Sequence, residues 1–309
     1  MAIILIRQDG KLGLWQSIFK QKYPDLPVFS YLERHPKEDI TMAIVWKHPK
    51  GILREYPNLA CIASFGAGVD FILEDETRPK NVSITRVIDP MLANDMSEYV
   101  ISAIFAHLKN FYRYYQDQQA KVWEPKPYSR IKEHTVGVMG FGTLGRALAY
   151  DLRRIGFPVV GWANQVREKE EFTLFYGAAQ RKVFLNKSTI LVCLLPLTKE
   201  TSGILNKETF SQLPKGAYVI NVARGGHLNE DELLLMLDSG HLSGACLDVF
   251  HEEPMSKGHP FWHHPKIMIT PHVASVSSPD SVVPQLAANF LRLQEKKPLL
   301  NLVDNAKGY

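Results

Sequence analysis

Residues 135–156 read TVGVMGFGTLGRALAYDLRRIG, and no other stretch limits the fold as strongly. An apolar run leads into Gly140, Gly142 and Gly145, spaced as G-x-G-x-x-G, and a segment with Leu148 and Leu152 on one helical face follows. Strand, glycine loop and helix in that order open a dinucleotide-binding βαβ unit. The first glycine permits a tight turn, the second lets the backbone approach a pyrophosphate, and the third lets the helix pack against the strand. The unpaired N–H groups at the helix start then hold the phosphates. The spacing alone is a weak signal, and its strand-to-helix setting gives it weight. Phe141, Thr143 and Leu144 complete the loop and are counted with the glycines as cofactor-binding positions.

The chain around this loop repeats the same alternation. Before about residue 95, the runs AIILIR, TMAIVW, ACIASF and VSITRV are separated by amphipathic or turn-rich pieces, the pattern of an α/β unit. From Ser97, a plausible N-cap, apolar residues at Val100, Ile101, Ile104, Phe105, Leu108, Phe111, Tyr112 and Tyr115 predict one long helix. VWEPKPYSR (122–130) reads as a loop that ends it. Six apolar runs then follow, TVGVMG, VVGWA, TILVCLL, AYVINVA, SGACLDVF and KIMIT. Continuous apolar runs predict strands covered on both faces, hence a parallel sheet. Between two of them NEDELLLMLDSG is a marked helix, with Asn229 as cap, Glu232 completing a capping box and Gly240 at the close. A last helix, about 280–297, carries Pro284 in its first turns and is expected to return to the first unit. The fold class is therefore α/β with two domains: residues 1–98 plus 276–309, discontinuous, and 99–275, which carries the dinucleotide loop.

Composition removes several function classes. A net charge of +4 with Lys and Arg spread along the chain gives no footprint for nucleic acid. The opening MAIILIRQDG has an apolar run too short for a signal peptide core or a membrane span and reads as a first strand, so a cytoplasmic protein without membrane contact is expected. Cys61, Cys193 and Cys246 sit in apolar stretches without C-x-x-C spacing, as buried thiols in a reducing compartment do. His259, His263 and His264 lie near one another, but no carboxylate or cysteine falls at a familiar ligand spacing, and no metal is expected.

Ligands of open α/β sheets lie outside the carboxyl ends of the strands. Three such ends deliver polar groups: YVINVARGG gives Arg224, ACLDVFHEEP gives Asp248 and then Glu253, and IMITPHVA gives His272. Their chemistry suits a 2-keto acid. Arginine offers a planar fork for a carboxylate, and a histidine titrates near neutrality, as a proton donor to a carbonyl must. A carboxylate beside it, Glu253, would favour the imidazolium and fix the ring. In the usual dinucleotide site an acid about 20 residues past the glycines binds the ribose hydroxyls. Here that place falls at Ala163 and Asn164, and neither is charged.

With GFGTLGR, LLPLTKETSGILN, NVARGG, LDVFHEEP and TPHVA in this order, the chain resembles the D-isomer-specific 2-hydroxyacid dehydrogenases over nearly its whole length. SFGAGVD, MSEYV, DSGHLSGACLDVF and the final KGY make it most similar to the branch that reduces glyoxylate and hydroxypyruvate. The resemblance implies two Rossmann-like domains with the active site in the cleft between them. It also implies a homodimer with residues of about 97–130 near the interface. It would give Arg224 the substrate carboxylate, His272 the proton, Glu253 the pairing with His272, and Asp248 the nicotinamide amide. The amides of Ala67 and Gly68 would share the carboxylate, Trp46 and Arg86 would line the substrate pocket, and Leu195, Pro196 and Ala223 would border the cofactor. NADPH-preferring members of this branch follow the tryptophan with serine, threonine and arginine; here Trp162 precedes Ala163, Asn164, Gln165, Val166 and Arg167. With no acid to repel a 2′-phosphate, and with Asn164, Gln165 and Arg167 as donors, NADPH is favoured and NADH stays possible. Two other readings stay open: a dehydrogenase for a bulkier 2-keto acid using NADH, and a non-catalytic dinucleotide-sensing protein of the same fold.

Overall fold

The computed structural model describes residues 1–164 and 171–304. The chain divides into two compact units, one made of Met1–Leu92 with the segment from Val276 onward, the other of Ala93–Ser275.

The first unit opens with β1 (Ala2–Arg7), α1 (Gly13–Lys22), β2 (Val28–Ser30), β3 (Ile40–Trp46), β4 (Cys61–Ser64), α2 (Asp70–Leu73) and β5 (Ser83–Thr85). Its strands form one sheet in the order β2-β1-β3-β4-β5, every pair parallel. Alternation sorts the side chains cleanly. Ile3 and Leu5 of β1, Met42 and Ile44 of β3 and Ala63 of β4 enter one core, and Ile4, Ile6, Ala43, Val45 and Ile62 enter the other. With both faces buried, period-two patterning disappears and the strands read as unbroken apolar runs.

Next comes α3 (Pro90–Leu108), and the boundary between the units falls inside it. It begins seven residues before Ser97, which instead lies within the helix and is only 2 % exposed. Asp89 does the work expected of Ser97, since its carboxylate accepts the Met91 amide at 3.0 Å, and Pro90 supplies a fixed φ at the first helical position. Nor does the helix run on to Tyr115. Asn110 adopts φ 58° and its side-chain amide donates to Pro127 O, so the chain turns and a separate α4 (Phe111–Ala120) follows.

The second unit continues with β6 (Val136–Met139), α5 (Thr143–Ile155), β7 (Val159–Ala163), β8 (Thr173–Tyr176), α6 (Gly177–Lys187), β9 (Ile190–Cys193), α7 (Lys207–Ser211), β10 (Ala217–Asn221), α8 (Glu230–Asp238), β11 (Leu242–Leu247) and β12 (Ile267–Ile269). Its parallel sheet has seven strands, in the order β12-β11-β10-β9-β6-β7-β8. The six expected strands are present, and β8 is added at the edge beyond β7. One face packs on α3 and α5 through Val100, Ile104, Leu148 and Leu152, and the other on α6 to α8 through Phe184, Phe210 and Leu233. Asn229 caps α8 by accepting the Glu232 amide, and Gly240 closes it at φ 71°. The Glu232 carboxylate does not complete a box; it accepts the Lys207 amide at 2.6 Å.

Finally α9 (Pro279–Gln294) returns to the first unit, where Val282, Leu286 and Phe290 join the core under β1 and β3. Asn289 of this helix is 2 % exposed. Its side chain donates to Leu300 O at 3.1 Å and accepts Leu300 N–H at 2.7 Å, which ties down the segment after the helix. All three cysteines are buried and unpaired. Among the described residues no helix is long and apolar enough to cross a membrane.

Asn289→Leu keeps the branching and heavy-atom count of the side chain but strands both Leu300 groups, and should destabilise the fold by about 1–3 kcal/mol. A urea titration checks this, and an unchanged midpoint would show that the tie carries no stability.

Candidate active site

The glycine loop is built by close approach. Gly140 has φ 106°, and a Cβ there would lie 2.7 Å from the Leu194 carbonyl, where β6 and β9 run side by side. At Gly145 a Cβ would meet Gly140 O at 2.1 Å, so the third glycine is fixed by the helix resting on the turn. Gly142 differs: its φ is −82°, and a Cβ would meet no atom within 4 Å. No side chain caps α5 at this residue, and the first N–H groups of a helix have no intrahelical acceptor. Open space at the start of a 13-residue helix is what a pyrophosphate needs, so the loop fits the dinucleotide its sequence implies. The Phe141 ring, by contrast, is 1 % exposed and packs on Phe172 at 5.6 Å, leaving only its backbone for a ligand.

Beyond the loop, the carboxyl ends of β10, β11 and β12 bring the chemical groups together. Asn221, fully buried, accepts the Ala223 amide at 3.2 Å and donates to Arg224 O at 3.0 Å, shaping the turn that presents Arg224. His227, also fully buried, pairs its Nε2 with Pro196 O at 3.2 Å, so its Nδ1 accepts the Arg224 amide, also at 3.2 Å. A Cβ on Gly225 would lie 2.0 Å from the Phe250 carbonyl carbon, so this turn sits directly on the chain leaving β11. There the Phe250 amide donates to Glu253 Oε1 at 3.1 Å, and Glu253 Oε2 lies 2.8 Å from His272 Nδ1. An ionised carboxylate only accepts, so Nδ1 carries the proton in this pair. Glu253 and His272 keep side-chain exposures of 19 % and 26 %, enough to reach a ligand.

Asp248 is 1 % exposed. Its Oδ1 accepts Thr270 Oγ1 at 2.5 Å and the Val273 amide at 2.8 Å, and its Oδ2 accepts the Ala274 amide at 2.9 Å. One acceptor position on Oδ2 remains.

In the first unit, Ser64 at the end of β4 donates to Gly68 O at 2.7 Å and accepts the Gly66 amide at 3.1 Å, closing the loop that holds Ala67 and Gly68. Trp46 ends β3 and meets Phe71 edge-on at 5.5 Å. The Arg86 guanidinium is half-buried, which lowers its pKa from the ordinary arginine value.

The remaining expected residues fall at strand ends of the second unit. Leu195 and Pro196 follow β9, and Ala223 follows β10, with Leu195 and Ala223 buried. Asn164 is exposed directly after β7, while Gln165 and Arg167 lie outside the described residues. His259 pairs with Glu230 at 3.1 Å and His264 with Asp238 at 3.3 Å. Among the described residues no cluster of three or more His, Cys, Asp or Glu could hold a metal ion. Asn221, His227, Thr270 and Tyr99, whose hydroxyl lies 2.5 Å from Thr270 Oγ1, escaped the sequence reading. The one signal available was a polar residue inside or just after an apolar run, as in YVINVARGG and IMITPHVA.

Comparison with known proteins supplies the wider context. A profile of the D-isomer specific 2-hydroxyacid dehydrogenase, NAD binding domain, matches residues 101–274. Glyoxylate/hydroxypyruvate reductase A of Serratia proteamaculans is 38 % identical over 302 residues, covering 96 % of both chains. That of Yersinia enterocolitica is 35 % identical over 314 residues, covering 100 % of both. Among solved structures, a D-isomer specific 2-hydroxyacid dehydrogenase from Xanthobacter autotrophicus in complex with NADPH and MES superposes with a TM-score of 0.93 at 35 % identity, covering 100 % of this chain and 99 % of that one. An NADPH-dependent glyoxylate/hydroxypyruvate reductase from Sinorhizobium meliloti in complex with NADP and sulfate gives 0.93 at 32 % identity with the same coverage.

The free space at Gly142 yields a test that separates folding from binding. Gly142→Ala should leave the melting temperature unchanged yet weaken NADPH binding about tenfold, ~1.4 kcal/mol, by filling the approach to the pyrophosphate. Unaltered affinity in a fluorescence titration would mean that this space is not the phosphate cradle.

Proposed function

The chain belongs to the D-isomer specific 2-hydroxyacid dehydrogenases, and from that premise we propose that it reduces a small 2-keto acid of the glyoxylate or hydroxypyruvate type to the 2-hydroxy acid with NADPH. The observation that carries the reading is the Phe250–Glu253–His272 chain, which fixes an imidazole with its Nδ1 against a carboxylate.

Arg224 takes the substrate carboxylate in its planar fork. The amides of Ala67 and Gly68 share that load, and Trp46 and Arg86 line the substrate pocket. When bound, the reduced dinucleotide supplies a hydride to the carbonyl carbon. His272 gives its Nε2 proton to the carbonyl oxygen as negative charge develops there, and the Glu253 carboxylate stabilises the imidazolium before transfer and keeps the ring in place. Gly140, Gly142 and Gly145, with the backbone of Phe141, Thr143 and Leu144, hold the pyrophosphate. Leu195, Pro196 and Ala223 border the nicotinamide end, and the remaining acceptor on Asp248 takes the carboxamide. Asn164, Gln165 and Arg167 meet the adenosine ribose, where donors without an acid favour the 2′-phosphate of NADPH and still admit NADH.

Names of relatives support the substrate class, since two reductases acting on glyoxylate and hydroxypyruvate cover this chain almost end to end. We assign residues 1–98 plus 276–309 to the substrate domain and 99–275 to the dinucleotide domain, in a cytoplasmic homodimer. The α4 region favours self-association, because Phe111, Tyr115 and Trp123 are 61 %, 60 % and 98 % exposed, an apolar cost that a partner surface offsets.

Steady-state kinetics with NADPH and NADH across glyoxylate, hydroxypyruvate, pyruvate and phenylpyruvate test the whole reading. The expected result is turnover of the small acids with a lower KM for NADPH; activity with none of them would favour a dinucleotide sensor. His272→Ala should cut turnover about 10²-fold or more while NADPH binding persists, and unchanged turnover would remove His272 as the acid. Arg224→Lys should raise the KM for the keto acid, because an ammonium does not reproduce the fork; a wild-type KM would refute carboxylate binding there.

A further inference from the structure

His272 sits in a backbone conformation that an L-residue rarely adopts. Its φ is 56°, in the left-handed region, where a Cβ crowds the following carbonyl and a non-glycine residue is strained. Such a conformation persists only where its surroundings over-determine it. Here Asp248 supplies several of the bonds around it. Its carbonyl accepts the His272 amide at 2.8 Å, and its carboxylate accepts the two following amides, Val273 at 2.8 Å and Ala274 at 2.9 Å. The same carboxylate takes the Thr270 hydroxyl at 2.5 Å, so the strained residue is gripped on both sides along the chain.

The grip extends one step further. Thr270 Oγ1 gives its proton to Asp248, so only its lone pairs face the Tyr99 hydroxyl 2.5 Å away, and Tyr99 is the donor in that contact. The Cys246 sulfur lies 3.3 Å from the Tyr99 oxygen, and burial pushes its thiol up to about 12, so the S–H remains as a weak donor behind the tyrosine. Hydroxyl groups aligned in one direction polarise one another. The result is a buried chain, Tyr99 to Thr270 to Asp248, ending on the amides that flank His272.

We propose that Tyr99 and Thr270 are positioning residues for His272, acting through the Asp248 carboxylate to hold the imidazole at the place where it meets Glu253. This rests on the reading of His272 as the proton donor for its kinetic consequence, but the placement of the ring stands independently of that reading. A carboxylate that loses a buried hydroxyl donor regains balance by rotating toward another partner, and rotation of Asp248 would release the Val273 and Ala274 amides. The imidazole then samples positions off its line to Glu253, and small misplacements of a catalytic group are costly in rate.

Three variants test the proposal: Thr270→Val, which keeps shape and deletes the hydroxyl, Thr270→Ser, which restores it, and Tyr99→Phe, which removes only the far end of the chain. Each is measured for kcat and KM with NADPH and glyoxylate, and by NMR of histidine-labelled protein, with the His272 signal identified by its loss in His272→Gln. Thr270→Val is expected to lower kcat about 10-fold or more with little change in the KM for NADPH, and to shift or broaden the His272 signal. Thr270→Ser should return both toward wild type, and Tyr99→Phe should give a smaller change in the same direction. A Thr270→Val protein with an unmoved His272 signal and wild-type kcat overturns the proposal, as does equal loss in Thr270→Ser and Thr270→Val. Retained turnover in His272→Gln would instead sink the proton-donor reading, and the NMR comparison would still decide whether Thr270 and Tyr99 hold the ring.

Discussion

Parallel pairing in register is the constraint on which the site depends. Asn221 of β10 pairs with Leu247 of β11 and with Cys193 of β9, Leu247 pairs with Ile269 of β12, and Met139 of β6 pairs with Cys193. Five strands therefore end at one level, and the chain leaving each of them enters the same edge of the sheet. Residues far apart in the chain are brought to one edge of the sheet without any one of them being steered there individually. Gly140 follows β6, Leu195 follows β9, Arg224 follows β10, Asp248 follows β11 and His272 follows β12. A one-residue slip in any pair would swap the side chains that a strand gives to the two cores and displace the polar group at its end, so the two covering cores police the geometry of the edge.

Close packing around the glycines is the second condition, and it comes in two kinds. At Gly145 and Gly225 a Cβ would fall about 2 Å from backbone atoms of Gly140 and Phe250, so these residues set how near two chain segments come. At Gly142 nothing fills the space. The first kind serves the scaffold and the second leaves room beside the helix start, a difference that the letters G-x-G-x-x-G do not express. The same holds at Phe141, which lies inside the motif but spends its ring on the core with Phe172.

What was legible follows from the strength of burial. Strands buried on both faces, such as β6, β9, β10 and β11, announce themselves as apolar runs, and the polar residues that follow them were readable as a set. The elements that escaped are those with little burial to print a pattern. β2 has three residues and β8 four, both at sheet edges, and β8 is no more than half-buried. Ser97 has the look of a cap in the sequence, whereas Asp89 and Pro90 supply the start of α3 outside the apolar pattern. The break at Asn110 was missed because apolar residues continue at helical spacing through it. That spacing on α4 buries nothing within this chain: Phe111 and Tyr115 are exposed. Periodicity reports that a face is apolar, and it does not report what covers the face.

The supporting residues of the site were invisible for a different reason. Asn221 and Asp248 stand at the ends of neighbouring strands, both essentially buried, and each spends its side chain on the backbone of the turn that carries a charged group. A buried polar group costs free energy unless its partners are complete. The turns complete them by turning their amides and carbonyls inward, which fixes their course. Arg224 and His272 are thus held by the satisfaction of a neighbour, and the left-handed φ of His272 is the local strain that the Asp248 bonds outweigh. From the sequence, a single Asn or Asp after a run of valines and isoleucines looks like an ordinary strand terminus. Its meaning lies in the amides it meets, and those belong to residues as distant as the Asp248 and Ala274 pair. The same bonds shape the turns and help hold the fold, so Asn221 and Asp248 tie the stability of the turns to the placement of Arg224 and His272, whereas Glu253 and His272 pair with each other and stay partly exposed.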